Sequence, residues 1–188
     1  MNKVEPSVFL QTRSTTCGVA CLMMTLEALG LPIKLTQGTE GEIFRELRIR
    51  GHDLVPAISL VTYARKQGRL ANAVMENGTV NFWDWLRNTN LQMYEAQEEA
   101  YAKARATGAN ISREAVSIDS LRESLGQGNL IIVGVELGGG IKHALLVYEW
   151  KDRSFLLVDP LSGKRSVPED QLLREMEMQF GRWFIEIR

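Results

Sequence analysis

The sequence predicts an α+β fold in which a helical first half packs on a C-terminal antiparallel sheet. Through most of the chain before Gly126, apolar residues recur at helical spacing. Beyond it they gather in short β-prone runs, Leu130 to Leu137, His143 to Trp150 and Ser154 to Asp159, separated by three glycines and by a charged break. With 188 residues, 45% of them hydrophobic, the chain suffices for one compact domain spanning 1–188 with a substantial core.

Each element has a local reason. Thr15 or Thr16 can cap a helix by accepting a backbone N–H, the run Val19 to Leu29 is apolar nearly all round, and Gly30 followed by Leu31-Pro32 supplies a left-handed stop. A helix with so few polar positions belongs at the centre of the molecule. Glu40 to Arg50 reads as a short helix and Val55 to Gln67 as another, stopped by Gly68 before a strand at Leu70 to Met75. Asn77-Gly78 reads as a turn. Asn81 to Ala106, with Phe82, Trp83, Trp85 and Leu86 and then the charged stretch Glu95 to Arg105, reads as one or two amphipathic helices. Its aromatic residues suit core staples and its charges a solvated face; the other reading is a lid or an arm that recruits substrate. Asp119 to Leu125 is a further short helix, followed by the strand Leu130 to Leu137. Gly138-Gly139-Gly140 leads to the His143 strand, either as a permissive turn or as a rim loop that lets a peptide approach.

Chemistry enters at Cys17, a thiol at the mouth of the first helix. Unpaired N–H groups and the positive end of the helix dipole make such a position favourable for a thiolate. Cys21, one turn further in, reads as core packing. Only two histidines are available as a base, His52 and His143. If the hairpin loop has odd length and is centred on Lys151, His143 lies directly across from Asp159, and cross-strand partners have Cβ atoms roughly 4.5–5.5 Å apart. A carboxylate at that distance holds an imidazole in one tautomer. Gln11 adds a side-chain amide that, with the Cys17 N–H, can hold an oxyanion. Taken singly, these residues read as a small buried hydrophobe, a strand-end histidine, an Asp-Pro turn former and a polar loop residue. Together they form the parts of a cysteine nucleophile, its base and its orienting group.

These residues resemble a known family. Gln11-x5-Cys17-Gly-x-Ala20, His143 ahead of a hydrophobic strand, and Val158-Asp159-Pro160 with Gly163 are similar to the C39 peptidases. Those are papain-like cysteine proteases that process bacteriocin precursors after a double glycine. The resemblance implies a papain-like fold, Cys17 as nucleophile, His143 as base, Asp159 as orienting carboxylate and Gln11 as oxyanion donor. It also implies that Val167 to Trp183 matches the helix following the Asp-Pro turn, and that residues 78–116 are a helical insertion. The family often has Asp immediately before the cysteine, where this chain has Thr16. Without transporter domains the chain looks like the stand-alone bacterial form.

Composition narrows the partners. A formal charge of -1 and the lack of a basic stripe give no reason to expect nucleic acid. The beginning lacks the apolar core of a signal peptide, and no stretch reaches the roughly 20 apolar residues of a membrane span. Two cysteines one turn apart do not make a disulfide framework, so a reducing, cytoplasmic setting is the default. A zinc site built from Cys17, Cys21, His52 and His143 lacks paired ligand spacing, phosphate-binding glycine loops are missing, and no cofactor is expected. His52 itself reads as an exposed loop residue. The expected partner is a peptide or protein substrate, with acyl transfer through a Cys17 thioester. Water would make a peptidase of it, an amine an acyltransferase or transpeptidase, and a papain-like module that only holds peptide is the third reading.

Overall fold

The computed structural model describes residues 4–76, 79–137, 141–177 and 181–188, with the side chains of 79–83 outside the description. The Asn77-Gly78 turn and the Gly138 to Gly140 connection therefore lie outside the described residues. Helix α1 spans Cys17–Ala28, with every residue from Val19 to Leu26 buried, and Gly30 ends it at φ +85°. A helix buried on all sides is what its apolar sequence demands. Helix α2 runs Gln37–Leu47, three residues earlier than expected, because the Thr36 hydroxyl accepts the Thr39 N–H and starts it. Helix α3, Ala57–Lys66, is followed by Gly68 at φ +78° and by strand β1, Ala71–Met75.

The segment read as one or two helices is two: α4, Thr79–Thr89, and α5, Leu91–Ala106, capped by Asn90. Leu86 is buried and Trp85 is exposed, while the side chains of Phe82 and Trp83 lie outside the description. After the two-residue β2, Ile111–Ser112, helix α6 spans Ile118–Gly126 and opens with a Ser117/Ser120 capping box. Strands β3, Leu130–Leu137, β4, Ile141–Lys151, β5, Ser154–Asp159, and β6, Gly163–Pro168, follow. Helix α7, Glu169–Glu175, and strand β7, Trp183–Ile187, complete the elements.

The seven strands of the described residues form one sheet in the order β2-β1-β7-β3-β4-β5-β6, antiparallel except for the short β1–β2 pair. Each face carries its own core. Val19, Leu22 and Leu60 from α1 and α3 pack with Ile132, Leu146 and Ile185 on one face, while Leu121 and Leu172 from α6 and α7 pack with Val133, Leu145 and Phe184 on the other. Burial on both sides explains why β3 reads as a continuous apolar run rather than an alternating one.

Two expectations need correction. Val167 to Trp183 is not a helix throughout: Val167 belongs to β6, α7 has only seven residues, and Trp183 opens β7. The β4–β5 hairpin also turns differently. Asp152 and Arg153 form a two-residue turn at φ +50° and +58°, the left-handed pair that matches strand twist. A register shift between Val147 and Glu149 marks a bulge, beyond which Leu146 pairs with Val158. Continued, that register sets Asp159 opposite Leu145 instead of His143.

Candidate active site

Despite the altered register, His143 and Asp159 meet. The residue two places along the facing strand is a diagonal neighbour, within reach of longer side chains. His143 Nε2 lies 2.9 Å from Asp159 Oδ1, with both residues buried. Asp159 closes the β5–β6 hairpin: its Oδ1 also accepts the Leu161 N–H at 2.8 Å, an Asx turn that fixes the carboxylate. The Arg165 guanidinium stands 3.6 Å from Oδ2. The turn-forming and histidine-orienting roles of Asp159 thus coexist.

Burial works against charging either partner, and in both the contacts win. Burial alone would lower the His143 pKa, yet the Asp159 carboxylate and then the Cys17 sulfur raise it from 6.5 to about 9. Burial would raise Asp159, but His143, the Leu161 N–H and the Ser162 hydroxyl hold it at about 2 instead of 3.8. The arrangement therefore favours an imidazolium at neutral pH. Since Nε2 is engaged by Asp159, Nδ1 is the ring nitrogen left for the Cys17 thiol.

Cys17 is the first residue of α1 and is half-buried. Thr16 occupies the cap position but makes no side-chain cap, contrary to expectation. Its hydroxyl instead approaches the Arg13 carbonyl at 2.9 Å and Glu40 Oε1 at 2.6 Å. The helix start is thereby left without the side-chain oxygen that normally occupies it. Cys21 is in the core with Sγ 3.5 Å from the Ala144 carbonyl, and burial, followed by the neighbouring Cys17 and Asp159, pushes its thiol well above its ordinary pKa.

Gln11 is held by both its backbone and its side chain. The Gln11 N–H donates to the Pro160 carbonyl at 2.9 Å, tying the loop to the Asp159 turn. Its Nε2 donates to the Arg13 carbonyl at 2.7 Å, and its Oε1 is buried without a hydrogen-bond partner. An amide NH2 carries two hydrogens, so one donor remains beyond the Arg13 bond. Gln11 stands off the lining of the neighbouring cleft, which Cys17 and His143 share. His52 sits half-buried in the loop between α2 and α3, where its N–H donates to the Ile49 carbonyl, and it does not join that lining.

Sequence reading missed Glu40. It is buried in the first turn of α2 and accepts the Thr12 N–H at 3.1 and 3.2 Å, the Thr12 hydroxyl and the Thr16 hydroxyl. Where the family often has an acid immediately before the cysteine, this chain has Thr16, and a carboxylate reaches it from another helix. Thr12 and Thr16 lie four residues apart in the loop before α1, and nothing in that spacing announces a buried carboxylate.

Fold and site together define the class as an α+β protein with the papain-like fold of C39 peptidases. A family model described as the Peptidase_C39 like family matches residues 7–174, and the chain belongs to that family. Three solved structures share the fold. A putative C39-like peptidase from Bacillus anthracis aligns at 12% identity and TM-score 0.59, covering 100% of this chain and 98% of its own. A double glycine motif protease from an AMS/PCAT transporter, solved with its leader peptide, aligns at 14% and 0.55, covering 98% and 92%. The peptidase domain of Streptococcus ComA, a bi-functional ABC transporter of a quorum-sensing pathway, aligns at 15% and 0.54, covering 97% and 98%. No curated protein gives a significant match. Among the described residues no helix is long and apolar enough to cross a membrane.

Proposed function

We propose that this protein is a cysteine peptidase that cleaves a peptide or amide bond through a thioester on Cys17. The observation that carries the reading is the buried His143–Asp159 pair, 2.9 Å apart, beside a cysteine at an uncapped helix start. His143 takes the thiol proton on Nδ1 while Asp159 holds Nε2. The sulfur attacks the carbonyl carbon, and the Cys17 N–H with the free donor of Gln11 holds the oxyanion. The imidazolium then gives its proton to the leaving amine, and water, deprotonated by His143, resolves the thioester. Leader-peptide processing is the role suggested by the relative solved with its leader peptide.

The test is alkylation of Cys17 by iodoacetamide across pH. Fast labelling at pH 6 that collapses in His143→Ala supports the pair, whereas labelling that rises only near a free-thiol pKa of roughly 8.5 refutes it. Mass spectrometry of the Cys17 thioester, chased with water or with amines, then separates hydrolysis from acyl transfer.

A further inference from the structure

The cleft that opens at Cys17 is far larger than a glycine pair requires. Its volume is about 400 Å³, whereas a cavity of about 150 Å³ already admits a benzene ring. Its walls are mainly apolar and come from separate parts of the chain: Leu60 from α3, Met75 from the end of β1, Tyr101 from α5 and Trp183 from β7. Two of these walls are held in place. The Tyr101 hydroxyl meets Met75 Sδ, and α5 is anchored by the buried Ala100 and Ala104. The Trp183 indole covers Gly134, where a Cβ would fall 2.2–2.5 Å from the ring, so the missing side chain on β3 lets the indole sit against the sheet.

We propose that this cleft binds a bulky apolar residue, aromatic or branched aliphatic, on the acyl side of the bond that Cys17 attacks. The proposal rests on the reading of Cys17 as nucleophile. The acyl half, which stays bonded to Cys17 after the amine leaves, is assigned to the cleft because Cys17 and His143 both line it. A Gly-Gly acyl half would leave these apolar walls facing water. Filling them with a side chain the size of Leu or Phe improves reaction with the matching substrate about 10- to 100-fold.

Three chloromethyl ketones, acetyl-Gly-Gly, acetyl-Phe-Gly and acetyl-Gly-Phe, test this through the rate at which Cys17 displaces chloride, followed by intact mass. One Phe compound is expected to label at least ten-fold faster than the Gly-Gly compound. Leu54→Trp, at a lining position that is 41% exposed and therefore tolerant of a larger side chain, is expected to erase that ratio. Equal rates, faster Gly-Gly labelling, or a ratio that survives Leu54→Trp would overturn the assignment of the cleft. If iodoacetamide meanwhile labels Cys17 quickly at pH 6, the nucleophile reading stands without it. If that labelling is slow and indifferent to His143→Ala, both fall.

Discussion

Replacing Glu40 probes the loop that delivers Cys17 to its partners. The carboxylate receives the Thr12 N–H at 3.1 and 3.2 Å, the Thr12 hydroxyl, and the Thr16 hydroxyl at 2.6 Å. Hydrogen bonds to a charged group contribute about 1.5–3 kcal/mol each. These three donors do not count in full, because Thr12 is exposed and regains water, and the Thr16 hydroxyl can turn its single proton to the Arg13 carbonyl, 2.9 Å away. Between one and two effective bonds remain, so Glu40→Ala should cost about 1.5–6 kcal/mol. Glu40→Gln keeps one acceptor oxygen and should cost about 1 kcal/mol. Urea unfolding with an unchanged m-value measures both, and Cys17 alkylation below pH 7 reports whether the loop still presents the thiol to His143. The alkylation rate should fall in the same order. An Ala variant within about 0.5 kcal/mol of the parent, the range of ordinary surface changes, would refute the clamp.

Two further outcomes follow from the site and its sheet. The raised His143 pKa contributes stability that is complete below its unfolded value of 6.5 and is lost as pH climbs through about 9, whereas the depressed Asp159 pKa contributes stability present above 3.8 and lost as pH falls toward about 2. Both shifts describe one pair, so thermal melting should be highest between about pH 4 and 6.5, and His143→Ala should abolish the decline on the alkaline side; an unchanged alkaline decline in that variant would contradict the assignment. Gly134→Ala forces the Trp183 ring to move, since the new Cβ would meet it at 2.2–2.5 Å. A loss of about 1–3 kcal/mol in urea unfolding is expected, and an unaltered midpoint would mean the indole does not rest on that glycine.

Much of the site was legible because its chemistry sits at element ends, where residue type and local pattern speak together. Cys17 opens an apolar helix, and His143 and Asp159 lie near the ends of two paired strands. Their pairing survived a wrong register because a diagonal contact replaces a direct one. The turn was misread because Asp152-Arg153 lacks the glycine that usually marks a left-handed pair. Glu40 was hidden for a different reason. An acid in the first turn of a helix ordinarily faces water, and only contacts 24 and 28 residues away bury this one. Strand β7, Trp183-Phe-Ile-Glu-Ile, carries the apolar and aromatic residues that favour a strand, but the helix implied by the resemblance ran up to Trp183 and no element was assigned beyond it. The cleft was not legible, since its walls are brought together only by tertiary contacts.

Strand β7 also dictates an order of assembly. It lies between β1 and β3 and pairs with each, joining the β2-β1 ladder to the β3-to-β6 ladder. On a ribosome, the strands bearing His143 and Asp159 would leave the exit tunnel before the segment that closes the sheet. Strand partners more than a hundred residues apart, such as Ala71 and Ile187, carry a heavy entropic penalty until late in folding. The Trp183 wall of the cleft arrives on this same strand, so a nascent chain holds Cys17 long before it holds a finished binding surface. Synthesis itself thus places the wall last, after the thiol and the histidine–aspartate pair beside it.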